Sequence, residues 1–171
     1  RTLQASHSGK SFCIHKHTSS STWQERHPAL RASPLASFLS NAVAAQAAAP
    51  VMAANGGGSI INFSSINATL GPSNMPGYVS AKAGLVGMTK ALAKDYGGDF
   101  VRVNAISPGW VVTQRQLDTW LTPEEEAAWM TQVALPQRLM PEDVANLALF
   151  LASNDSHMIT GQNFTIDGGR T

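Results

Sequence analysis

Tyr78 and Lys82 stand four residues apart in "GYVSAKAG", residues 77–84, with no bulky side chain between them. At i and i+4 they share one face of a helix. A phenol, with an ordinary pKa near ~10, exchanges protons poorly at neutral pH by itself. An ammonium about 5 Å away, at an effective dielectric of about 20, favours the phenolate by roughly 3 kcal/mol. That brings a phenol into the range of a general acid or base. A solvated helix face with a half-buried aromatic has the same pattern, so the pair needs support. Ser65 ends the apolar run "SIINFSS", 59–65, and "SPGWVVT", 107–113, ends a second such run with Pro108, Gly109 and Thr113. Ligands of open α/β sheets bind at such strand ends.

The elements that must position these residues are readable from periodicity. Leu35, Phe38, Leu39, Ala42 and Val43 keep helical spacing and lead into an Ala-rich helix to Asn55, which Pro50 is expected to bend or restart. "SIINFSS" is short and β-branched and reads as a buried strand. Residues 78–97 form a second helix, whose Ala81, Ala83, Gly84 and Gly87 permit close packing. "FVRVNAIS", 100–107, is a second strand. "TPEEEAAWMTQVA", 122–134, opens with Thr122 as N-cap, Pro123 in the first turn and three acids behind it. A helix from Pro141 through Leu151 and a strand within "QNFTIDGG" close the chain. Val144, Leu147, Leu149, Phe150 and Leu151 are expected in the core. The alternation predicts an α/β fold with a parallel sheet and right-handed crossovers.

The 171 residues suffice for one sizeable core, and 43% hydrophobic with 13% charged residues describes a globular chain. A net charge of +1 suggests no strongly charged partner, and no apolar run reaches the length of a membrane span. Cys13 is the only cysteine, so no internal disulfide forms and a reducing compartment such as the cytoplasm fits best. The average hides a break. Residues 1–40 hold five basic side chains against Glu25 alone, with four of the five histidines and no Val, Asp, Tyr or Met. Residues 41–171 hold seven basic and ten acidic side chains. Residues 1–40 therefore read as an atypical segment, disordered or non-native, with an organelle transit peptide as the lesser reading.

Residues 42–171 resemble the C-terminal half of a short-chain dehydrogenase/reductase, a Rossmann-like family. The motifs are "GGGSIINFSS", "YVSAK", "RVNAISPGWVVT", "PEDVANLALFLAS" and "ITGQNFTIDGG", in the family's order and spacing. The resemblance implies reversible hydride transfer between an alcohol carbon and NAD or NADP. It makes Ser65 the residue that orients the substrate oxygen and Tyr78 the proton exchanger. Lys82 would hold the nicotinamide ribose, and Pro108, Gly109, Val111 and Thr113 would line the carboxamide site. It also implies a homo-oligomer, a tetramer built on the helices matching 36–54 and 76–96. "GWVVTQRQLDTWLTPEEEAAW", 109–129, and "RLMPEDVA", 138–145, are similar to the branch oxidising rhamnose, galactose or xylose at C1, with Asn67, Arg115 and Gln116 facing substrate. "SINATLG", 65–71, departs from the bulky residues some members carry there.

The pattern breaks in the first half. A glycine-rich turn should cradle the pyrophosphate, yet Gly9 is the only glycine before Gly56. Spacing back from Ser65 puts the family's catalytic asparagine at position 37, which is Ser37; Asn41 lies one turn on. Three strands are expected, with the edge of the strand at 59–65 left open. "CIHKH" places Cys13, His15 and His17 at alternating positions, but no fourth ligand is near and no metal site is expected. Rival readings are a non-catalytic subunit or scaffold and a nucleic-acid binder using the basic N-terminal arm; five cations without aromatic interleaving argue against the latter. Trp110, Trp120 and Trp129 read as lid or packing residues, Asp167 as a tie for the closing strand, and His157 as a surface residue.

Overall fold

The computed structural model describes residues 11–13, 34–119 and 121–171. Within them the order is β1 (Ser11–Cys13), α1 (Pro34–Ala54), β2 (Gly58–Phe63), α2 (Asn67–Leu70), α3 (Pro76–Tyr96), β3 (Val101–Pro108), α4 (Gln114–Thr119), α5 (Pro123–Met130), α6 (Pro141–Ala152) and β4 (Asn163–Ile166). The four strands form one parallel sheet in the order β1-β2-β3-β4. His15, His17 and Trp120 lie outside the described residues, as does the side chain of Cys13.

Alternation along β2 sends successive side chains to opposite faces. Ile60 joins Ala45, Ala49, Met52, Leu92, Ala93, Val101 and Val103 under α1 and α3. Ile61 joins Ile106, Val144 and Leu151 under α6. The result is a three-layer α/β/α arrangement around a sheet buried on both faces, as apolar parallel strands require. Helices α1 and α3 approach closely because Gly84 faces the Phe38 ring: a Cβ built at 84 would lie 3.2 Å from it. Gly87 has open space instead.

Four expectations change. Helix α1 runs through Pro50 as one element, so it does not restart there. Pro50 and Gln46, the residue one turn earlier, are both exposed, so water can take the carbonyl that proline leaves unbonded. The edge of β2 is not fully open, because β1 pairs with it from Ser11↔Ser59 to Cys13↔Ile61 and adds a fourth strand. The helix after Thr122 stops at Met130, short of residue 134. On α6, Val144 and Leu151 are buried and Leu147 is packed beneath the sheet, whereas Leu149 is 54% and Phe150 39% exposed. Positions 144, 147 and 151 follow the helical repeat; 149 falls on the opposite side and 150 on the flank.

Candidate active site

The strand tips carry the site. Strand β2 ends at Phe63, but Ser64 N–H still donates to the Ile106 carbonyl (2.8 Å) and Ile66 N–H to the Pro108 carbonyl (3.2 Å). Ser65 is thus fixed beside the tip of β3. It is buried, and its Oγ accepts from Asn67 N–H at 3.2 Å, which leaves its own proton to donate. The α2 turn that supplies this N–H ends at Gly71, whose φ of 59° is a left-handed cap that glycine adopts without strain.

Helix α3 starts at Pro76 and carries Tyr78 and Lys82 on one face. Tyr78 is half-buried, and the Lys82 Nζ lies 5.7 Å from its ring centroid. Lys82 itself is buried, and its ammonium donates to the Phe63 carbonyl at 2.8 Å. Burial lowers its pKa from the ordinary lysine range. The Lys82 carbonyl in turn accepts from Ser64 Oγ at 2.8 Å. The tip of β2 and the start of α3 are therefore joined through Lys82, which puts Ser65, Tyr78 and Lys82 at the same carboxyl edge of the sheet.

Pro108 ends β3, its register partner being Ile166. Gly109 N–H donates to the Ile166 carbonyl at 2.8 Å. A Cβ at 109 would lie 2.8 Å from both Cα and Cβ of Asp167, a clash with backbone that no rotamer change relieves. Gly109→Ala is expected to destabilise the fold by about 1–3 kcal/mol through overpacking, measured as a lower urea midpoint at unchanged slope; an unaltered midpoint would show that the turn yields. Asp167 is itself held. Burial works against its charge, but hydrogen bonds from the Thr171 hydroxyl and the Gly169 and Thr171 N–H groups, each 2.9 Å, keep its carboxyl below the usual range.

Val111 bridges to Leu139, and Val112 N–H donates to the Leu139 carbonyl at 2.8 Å. Thr113 caps α4: its carbonyl accepts from Gln116 N–H (2.9 Å), and its own N–H donates to Gln116 Oε1 (3.0 Å). Gln116 thus serves the cap with its side-chain oxygen. The side chain of Arg115 is outside the described residues. Asn67 Nδ2 donates to the Met75 sulfur at 3.7 Å. Asn41 donates to the Ser37 carbonyl at 2.7 Å inside α1 and makes no bond to Lys82.

Beyond Gly109, Trp110 and Trp129 meet edge-on with centroids 5.2 Å apart, and Arg170 lies 5.5 Å from the Trp129 ring. The two tryptophans line a cavity of about 240 Å³ with Val112, Leu121 and Ile166. Arg138 and Glu126 pair at its rim. None of Ser65, Tyr78 and Lys82 lines it. His157 is exposed, as expected. Sequence reasoning missed Ser64, whose partner is eighteen residues away, and missed α4, which "TQRQ" at 113–116 announces as a capping box.

The residue types suit the nicotinamide-ribose end of a dinucleotide: a buried ammonium at the tip of β2 and, at the tip of neighbouring β3, a Pro-Gly turn followed by Thr113. The pyrophosphate end has no glycine-rich turn in these 171 residues.

A family model described as enoyl-(acyl carrier protein) reductase matches residues 16–171. The chain is 48% identical to the probable galactose dehydrogenase of Rhizobium meliloti, over 72% of this chain and 48% of that protein. It is equally identical to the D-xylose 1-dehydrogenase of Caulobacter vibrioides, over 72% of this chain and 50% of that one. Among solved structures it is similar to a 7alpha-hydroxysteroid dehydrogenase complexed with NADH and 7-oxo glycochenodeoxycholic acid, with a TM-score of 0.66 and 37% identity over 71% of this chain and 47% of that one. The chain spans about half the length of the curated relatives it matches. Order of motifs, parallel sheet and matched span agree: the chain belongs to the short-chain dehydrogenase/reductase family of oxidoreductases.

Proposed function

We propose that residues 41–171 form the catalytic half of an NAD(P)-dependent dehydrogenase that oxidises the C1 hydroxyl of an aldose such as galactose, xylose or rhamnose. The observation that carries this reading is the convergence of Ser65, Tyr78 and Lys82 at one sheet edge, with Lys82 bonded to the tip of the strand that precedes Ser65. In the proposed reaction the Ser65 hydroxyl donates a hydrogen bond to the substrate oxygen and orients it. Tyr78 takes the proton of that alcohol, helped by the nearby Lys82 ammonium. Lys82, Val111 and Thr113 hold the nicotinamide ribose and carboxamide. The bound nicotinamide supplies the hydride acceptor in one direction and the donor in the other. Asn67, Arg115 and Gln116 belong to the sugar side, with Gln116 sharing its amide between cap and ligand. The sugar assignment draws on the two sugar dehydrogenases; a reducing compartment such as the cytoplasm suits the lone Cys13.

The test is a chimera in which residues 41–171 follow the first half of the Caulobacter vibrioides D-xylose 1-dehydrogenase. Aldose-dependent reduction of NAD or NADP is expected; no reduction with any of the three sugars would overturn the sugar reading. The 171-residue chain alone is expected to bind NAD and NADP poorly, because it has no cradle for the pyrophosphate. Calorimetric titration should show no saturation at micromolar cofactor, and micromolar binding would contradict this.

A scaffold role has one observation in its favour. Helix α1 has no charged residue in its 21, and Leu39, Val43 and Val51 are 53%, 64% and 63% exposed on it. The same surface suits a homo-oligomer, which the mass in solution would report.

A further inference from the structure

We propose that Ser64 is a positioning residue that holds Lys82 in place. Ser64 is 4% exposed, and it lies between the acceptor of the Lys82 ammonium and the serine assigned to the substrate oxygen. Its Oγ donates to the Lys82 carbonyl at 2.8 Å, while the Lys82 Nζ donates to the Phe63 carbonyl at 2.8 Å. Two consecutive residues of the β2 tip thus hold both ends of one lysine, backbone and ammonium. Each bond alone permits a swing: the helix backbone can slide if only Nζ is held, and Nζ can rotate if only the carbonyl is held. Together they fix the distance between the tip of β2 and the first turns of α3. Ser65 is anchored to β3 on its other side by the Ile66 N–H bond to Pro108. The consequence is a single frame, strand tip and helix, in which Ser65 and the Tyr78–Lys82 face keep one relative position.

Because Ser64 acts through Lys82 and touches neither substrate nor cofactor, its removal should disturb Lys82 first. The proposal rests on the reading of Lys82 as the ribose-holding lysine, but its test needs neither cofactor nor turnover, so the two fail separately. The purified chain is acetylated with N-hydroxysuccinimidyl acetate and mapped by mass spectrometry, with Lys90 and Lys94 as internal controls on the same helix, both exposed. In the wild type, Lys82 should label more slowly than either control. In Ser64→Ala, Lys82 should label about fivefold faster, the factor expected for the loss of one ordinary hydrogen bond, with Lys90 and Lys94 unchanged. Ser64→Cys, which keeps the size and a weak donor, should give a smaller rise and stands in if the alanine variant does not fold. Equal labelling of Lys82 and the controls in the wild type would overturn the proposal. So would a variant in which Lys82 does not change or in which all three lysines rise together.

Discussion

Tyr78→Phe, made in the chimera that completes the cofactor site, is expected to lower kcat by about 10³-fold, within the range that a positioned general acid–base supplies. The phenyl ring keeps the half-buried volume and the face that Lys82 approaches at 5.7 Å. Folding stability should therefore change by no more than about 1 kcal/mol, the net worth of a single hydrogen bond. The loss should fall on kcat with KM for the sugar nearly unchanged, since the phenol acts on the proton in flight and adds little to ground-state binding. Steady-state kinetics of the two chimeras, with melting curves as the folding control, give the answer. A variant that retains a tenth or more of wild-type kcat would remove Tyr78 from the chemistry.

Lys82→Met should separate function from stability. In the chimera, kcat is expected to drop about 10²-fold, the scale of losing one preorganised charged donor. The fold should respond differently. Burial lowers the Lys82 pKa from 10.5, so the folded chain releases this proton more readily than the unfolded chain does. Between the folded value and 10.5 the unfolded state binds more protons, and stability rises with pH across that window. As pH falls through the folded value, that stability is lost and the buried ammonium becomes a burden. At pH 7 the methionine variant is expected to gain stability from the removed burial cost and to lose the bond to the Phe63 carbonyl, so its melting temperature relative to the wild type should be highest at low pH. That difference should fall as pH climbs toward 10.5. Parallel melting curves whose separation is independent of pH would show that the ammonium carries no burial cost.

Much of the fold is legible because its motifs sit where the backbone has no choice. The runs at 59–65 and 100–107 are apolar and β-branched, and both are buried strands, with ends shifted by one or two residues. Thr122 announces its helix and makes the capping box with Glu125. What failed to show was set by distant contacts. Strand β1 comes from a segment whose composition suggests no order, and only its pairing with Ser59, Ile60 and Ile61 defines it. Ser64 reads as filler beside Ser65 until helix α3 brings the Lys82 carbonyl to it. Gly109 looks like an ordinary turn glycine, yet its need is the backbone of Asp167, fifty-eight positions on. Gln116, assigned to substrate by resemblance, is partly occupied by its own helix cap. A contiguous apolar run hides which positions lie on the buried side, and Leu149 and Phe150 lie off it.

The central proposal is that one phenol takes the hydroxyl proton while hydride leaves the carbon that bears that hydroxyl. It is tested most directly by isotope transfer. The chimera is given its preferred sugar carrying deuterium at C1, and the reduced cofactor is examined by mass spectrometry. The account predicts that deuterium enters the reduced cofactor with either protein, but about 10³-fold more slowly with Tyr78→Phe at equal enzyme concentration. Equal rates of deuterium transfer by both proteins, or reduced cofactor without deuterium, would contradict it.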